Sequence, residues 1–178
     1  FWLALGVSGF RIDAAPYLIE LRQADNLFEP VGDPYGYINE LRDFLSWRRG
    51  DAILLGEADD PPEQLSKYFS SGDRMQMLFN FWGNQHLILA LAQENAKPLI
   101  EALNELPNLP KIGQWANFIR NHDELSLNQL SNSQRDEIAA AFAPDRDQMW
   151  IFDRGIRRRF APLVKNDLRR LRLVYSLL

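Results

Sequence analysis

The chain has 178 residues, 46% hydrophobic and 25% charged, an ordinary globular make-up with enough apolar material for a sizeable core. Lys and Arg number 20 against 24 Asp and Glu, a net charge of -4 that gives no reason to expect nucleic acid or an anionic membrane as partner. Cysteine is absent, which excludes disulfides and thiolate chemistry and agrees with a cytoplasmic setting, and no apolar run is long enough to span a bilayer.

The apolar opening Phe1 to Leu5 has no basic start and soon meets Gly6 and Arg11, so it does not read as a signal peptide. Gly9 to Ile12 is a short apolar run and reads as a strand. Tyr37 to Arg49 carries Ile38, Leu41 and Leu45 at helical spacing, with Phe44 and Trp47 adding apolar surface. Ala52 to Leu55 is a second strand, followed by a helix that Pro62 opens and Phe69 ends. Met75 to Phe81 is a third strand. Gln85 to Leu106 is helical, with a break expected near Pro98. Trp115 to Ile119 is a fourth strand, and Asn132 to Phe142 and Asn166 to Leu178 are further helices. Continuous apolar strands alternating with helices predict right-handed βα units around a parallel sheet covered on both faces.

Three acidic residues end three of these strands. Asp13 follows Phe10-Arg11-Ile12, Glu57 follows Leu54-Leu55-Gly56, and Asp123 follows Phe118-Ile119-Arg120-Asn121-His122. In a barrel of parallel strands those ends face one mouth, where catalytic residues collect. At roughly 31 residues per βα unit, Asp13 and Glu57 are one unit and a long loop apart, and Glu57 and Asp123 about two units. The same counting fits a doubly wound sheet. Carboxylates so grouped suit glycosidic bond cleavage, which needs one protonated carboxyl to donate to the leaving oxygen and one ionised carboxylate to attack. Each residue taken singly also suits helix capping or an ion pair.

Gly9-Phe10-Arg11-Ile12-Asp13-Ala14, Leu55-Gly56-Glu57-Ala58 and Phe118-Ile119-Arg120-Asn121-His122-Asp123 resemble, in order and spacing, signature regions of the α-amylase superfamily, glycoside hydrolase family 13. The resemblance implies an α/β fold, a partial (β/α)8 TIM barrel comprising roughly the fourth to seventh βα units, over residues 1–178. It implies Asp13 as nucleophile, Glu57 as general acid/base and Asp123 as a third carboxylate binding sugar hydroxyls. Arg11 would orient Asp13, and His122 would donate to a sugar hydroxyl. Phe79 and Phe81, near the end of the third strand, are candidates for the pocket wall. Trp2, Trp47, Trp82, Trp115 and Trp150 mostly sit in apolar patterns that suit core packing.

Asp13-Ala14-Ala15-Pro16-Tyr17-Leu18, Arg120 to Leu125, and Gly155-Ile156-Arg157-Arg158-Arg159-Phe160-Ala161-Pro162-Leu163 resemble the maltose-to-trehalose isomerase subgroup. On charge alone the last segment is a basic surface turn leading into a helix. Pro16-Tyr17 stands where many endo-acting amylases carry Lys-His, while Asp59-Asp60-Pro61-Pro62 departs from the isomerase subgroup. The expected reaction is isomerisation of maltose to trehalose through a covalent glucosyl-Asp13 intermediate. Hydrolysis as an α-glucosidase or α-amylase-like enzyme, and non-catalytic sugar binding, are the alternatives. The expected partner is an α-linked glucose disaccharide or oligosaccharide. The chemistry needs no cofactor, and a structural calcium would belong to an inserted domain outside these residues. With the other barrel strands outside it, this stretch is expected to be cut at both ends, prone to aggregate and inactive alone.

Overall fold

The computed structural model describes residues 1–24, 33–145, 147 and 150–178. They group into two compact units, Phe1–Phe79 with Pro107–Ala116, and Asn80–Leu106 with Asn117–Leu178. Among the described residues no helix is long and apolar enough to cross a membrane.

The first unit holds a four-stranded sheet, β1 (Gly9–Ile12), β2 (Ile53–Gly56), β3 (Met77–Phe79) and β4 (Gln114–Ala116), every neighbouring pair parallel. Strand order follows chain order, β1-β2-β3-β4. A doubly wound sheet reverses its order at a switch point; the unreversed order here is the winding of a (β/α)8 barrel. Helices α1 (Ala15–Ala24), α2 (Gly36–Ser46) and α3 (Pro62–Phe69) connect the strands. Leu54, Leu65, Tyr68, Phe69, Met75 and Leu78 are almost wholly buried and form this unit's core. Phe69 meets Trp115 edge to face, with ring centroids 5.4 Å apart.

The third strand is shorter than the apolar run suggests. Asn80 accepts from Gly83 N–H through its side chain (2.8 Å) and caps α4 (Phe81–Gln93), so Phe81 is the first residue of a helix rather than part of a strand. The helical run after it breaks before Pro98. Glu94 takes a left-handed turn (φ 51°), and α5 (Lys97–Glu105) begins with Pro98 in its first turn.

The second unit packs α4 and α5 with α6 (Asn132–Phe142), whose Ser131 and Gln134 form a reciprocal capping box. A small antiparallel sheet, ordered β5-β7-β6, joins β5 (Leu125–Ser126), β6 (Trp150–Ile151) and β7 (Gly155–Ile156). Two short helices follow, α7 (Phe160–Leu163) and α8 (Leu168–Tyr175). The basic segment read as a turn therefore starts as a strand. Ile88, Leu127, Ile138, Ile156 and Val174 lie fully inside this unit's core. Trp2 and Trp47 are 59% and 89% exposed, so the core role expected of such tryptophans does not hold for them in this structure.

Arg74, 8% exposed, ties the loop before β3 to the segment before α2. Its guanidinium donates to Asn39 Oδ1 (2.9 Å), to the Lys67 carbonyl (2.6 Å) and to the Asp33 carboxylate. The Tyr35 N–H and, after it, the Arg74 guanidinium hold the Asp33 carboxyl below its ordinary range, against an opposing push from burial. A carboxyl depressed on folding contributes stability above its unfolded pKa and loses it as pH falls through the folded value. Asp33→Asn in the full-length protein is expected to lower the denaturation midpoint at pH 7, with the deficit shrinking below about pH 4. A deficit independent of pH would place the effect in packing instead.

Candidate active site

The register of β1 on β2 pairs Ile12 with Gly56, so Asp13 and Glu57 emerge side by side at the carboxyl ends of adjacent strands. The ladder runs on past both strands. Glu57 N–H donates to the Ile12 carbonyl (3.0 Å), and Ala15 N–H donates to the Glu57 carbonyl (2.9 Å). Strands so paired lie about 4.8 Å apart, and that spacing holds the two acidic residues together before any side chain is considered. Gly56 leaves room for this packing: a Cβ there would lie 2.2 Å from Met75 Sδ and 2.6 Å from Leu78 Cδ2, so those buried side chains would have to shift.

Arg11 precedes Asp13 by two residues and so shares its side of the strand. Arg11 Nη2 is 2.5 Å from Glu57 Oε2 and 3.0 Å from Asp13 Oδ1. One guanidinium nitrogen thus touches both carboxylates, and the two oxygens are no further apart than the sum of those contacts. The Asp13 side chain is 75% exposed and that of Glu57 only 16%. A second grip on Glu57 comes from the backbone. Ala14 N–H approaches Glu57 Oε2 at 3.3 Å, from a residue in the left-handed region (φ 44°). That conformation costs an L-residue about 1–2 kcal/mol and commonly occurs at functional sites. Nothing in the sequence signals it, because alanine has no preference for such a φ. Phe79 lies on β3 with its ring centroid 6.0 Å from Arg11 Cζ, beside the carboxylate pair.

The second unit carries His122 and Asp123. Asn84 on α4 donates to the carbonyls of Phe118 (2.8 Å) and Ile119 (2.9 Å), fixing the chain as it leaves β4. Asn121 Oδ1 then accepts from Asp123 N–H (3.1 Å) and closes a tight turn. At that turn His122 Nε2 is 3.3 Å from Asp123 Oδ2, both side chains well exposed. Phe81 is 9% exposed and packs edge to face on Phe118, with centroids 4.9 Å apart. Beneath the turn lies Arg120, whose guanidinium is pushed below its ordinary pKa by burial and by the nearby Arg159, against the carboxylates of Glu124 and Asp123. Among the described residues no group of three or more His, Asp or Glu side chains could hold a metal ion.

A family described as alpha amylase, catalytic domain, matches residues 1–148. A trehalose synthase of Thermus thermophilus is 39% identical over 181 residues, covering all of this chain and 18% of that protein. A trehalose synthase/amylase of Mycobacterium tuberculosis is 35% identical over 182 residues, covering all of this chain and 30% of the relative. Maltase A2 of Drosophila melanogaster is 34% identical over 155 residues, or 69% of this chain and 27% of the maltase. The chain therefore spans less than a third of the length of these relatives.

Proposed function

The chain belongs to the alpha-amylase family, and on that premise we propose that the full-length protein carrying it is a retaining enzyme acting on α-linked glucosides, isomerising maltose to trehalose. The observation that carries the reading is the single nitrogen of Arg11 touching both Asp13 and Glu57. Retaining enzymes keep their two carboxyl groups about 5–5.5 Å apart, a separation those contacts accommodate.

In this mechanism the Asp13 carboxylate attacks the anomeric carbon of the non-reducing glucose of maltose. The bond to the bridging oxygen breaks, and Glu57 supplies a proton to that oxygen. A glucosyl ester on Asp13 results, with free glucose beside it. Glucose turns in place and presents its anomeric hydroxyl; Glu57 takes the proton as that oxygen displaces Asp13, giving trehalose. Arg11 holds both carboxylates in register, so orientation rather than diffusion governs each step. Asp123 and His122 bind hydroxyls of the attacked sugar, and Phe79 contributes apolar wall. Phe81 has its ring against Phe118 and is the weaker wall residue. The setting we propose is cytoplasmic, with which a cysteine-free stretch agrees.

Water reaching the ester first gives hydrolysis, and the likeness to a maltase favours this as the second reading. Incubating the full-length protein with maltose and following products by NMR separates the two. Trehalose with little free glucose is the expected result. Glucose without trehalose moves the assignment to a hydrolase, and binding without turnover of maltose or longer α-glucans overturns both.

A further inference from the structure

We propose that Arg159 is a positioning residue that holds the turn presenting His122 and Asp123 to the sugar; the inference rests on the reaction proposed above. Its side chain reaches back across 37 or more residues of sequence. Arg159 Nη1 donates to the Asn121 carbonyl at 2.5 Å, and Nη2 approaches the His122 carbonyl at 3.4 Å. Those are the two peptide units immediately before Asp123. They lie outside any strand or helix, so no backbone ladder fixes them. A planar guanidinium with two parallel donors suits adjacent carbonyls, where an ammonium would satisfy one.

The segment that delivers Arg159 is anchored on both sides. Upstream, β7 pairs with β5 in the register Leu125↔Ile156 and Ser126↔Gly155. Leu125 and Ile156 are 3% and 0% exposed. Gly155 permits this approach, since a Cβ there would lie 2.5 Å from Glu124 Cγ. Downstream, Phe160 is 6% exposed in the core. Between the anchors, Arg120 Nη2 reaches the Arg157 carbonyl at 3.5 Å. Arg157, Arg158 and Arg159 are themselves exposed, yet Arg159 is aimed at the turn.

Charge argues against an incidental contact. Arg120 Nη1 also donates to the Asn121 carbonyl, at 3.1 Å, so two guanidinium groups converge on one neutral oxygen. Like charges so placed repel, and the Arg120 guanidinium is depressed by burial and by Arg159. The arrangement persists because the carboxylates of Asp123 and Glu124 face it and because the two anchors leave the segment little freedom.

The test compares Arg159→Ala, Arg159→Lys and Arg158→Ala in the full-length protein. Arg159→Ala is expected to raise KM for maltose about tenfold and lower kcat/KM roughly 10–100-fold, the scale of a misplaced binding group. Arg159→Lys recovers only part of the loss, and Arg158→Ala stays within about twofold of wild type. With labelled histidine, the His122 imidazole resonance, identified by its disappearance in His122→Gln, should move in Arg159→Ala and stay in place in Arg158→Ala. A stationary resonance, or unchanged kinetics in Arg159→Ala, overturns the proposal. Failure of the wild type to turn over any α-glucoside would remove the reaction, while the histidine resonance would still decide the positioning of the turn.

Discussion

Asp13→Asn in the full-length protein is expected to lower kcat/KM for maltose by at least about 10⁴-fold while leaving sugar binding largely in place. Asparagine matches aspartate in shape but has no charged oxygen to attack the anomeric carbon, so the proposed covalent route closes. The second carboxylate cannot take over, because Glu57 is held on its own side by Arg11 Nη2 (2.5 Å) and approached by Ala14 N–H (3.3 Å). With Asp13 neutral, Arg11 retains Glu57 as its partner, so the local fold should survive. The measurement is turnover by NMR beside maltose affinity by calorimetry. Residual turnover within tenfold of wild type would take the nucleophile away from Asp13.

Glu57→Gln should cost about 10²–10⁴-fold on maltose, the usual scale for loss of a general acid or base. Glutamine keeps an acceptor oxygen for Arg11 and Ala14 but has no proton to transfer. The substrate dependence is the sharper test. Glucose is a poor leaving group and needs protonation, whereas fluoride leaves unaided. The variant should therefore still react with α-glucosyl fluoride and then stall, since resolving the ester needs the missing base. Intact mass should show one added glucosyl unit, absent in the double variant Asp13→Asn/Glu57→Gln. Equal slowing on both substrates would place the acid/base elsewhere.

The elements that carry the candidate site were legible where strand and motif coincide. Gly9 to Ile12 is bounded as the apolar run predicts, and Pro62 to Phe69 and Asn132 to Phe142 match because proline and the Ser131 capping box mark their starts. The barrel winding is different in kind: spacing alone also allowed a doubly wound sheet, and only the unreversed strand order excludes it. Met75 to Phe81 overran β3 at both ends, since apolar residues continue from strand into helix and the Asn80 cap is a single side chain. The sheet β5-β7-β6 was illegible, for two-residue strands have no period to read. Exposure was equally hidden for Trp47, as periodicity shows which residues share a face and not what covers it. Arg159 lay in plain view as part of an arginine run, but its partners are 37 and 38 positions away.

The extension of the backbone ladder from Ile12 to Glu57 and on to Ala15 has an evolutionary consequence. The spacing of the two main-chain positions that carry Asp13 and Glu57 follows the strand separation of a parallel sheet, a length that side-chain substitutions elsewhere do not retune. A lineage built on it inherits the adjacency of these two acidic positions as a property of the main chain. Divergence is then channelled into the loops, which can change without disturbing that adjacency.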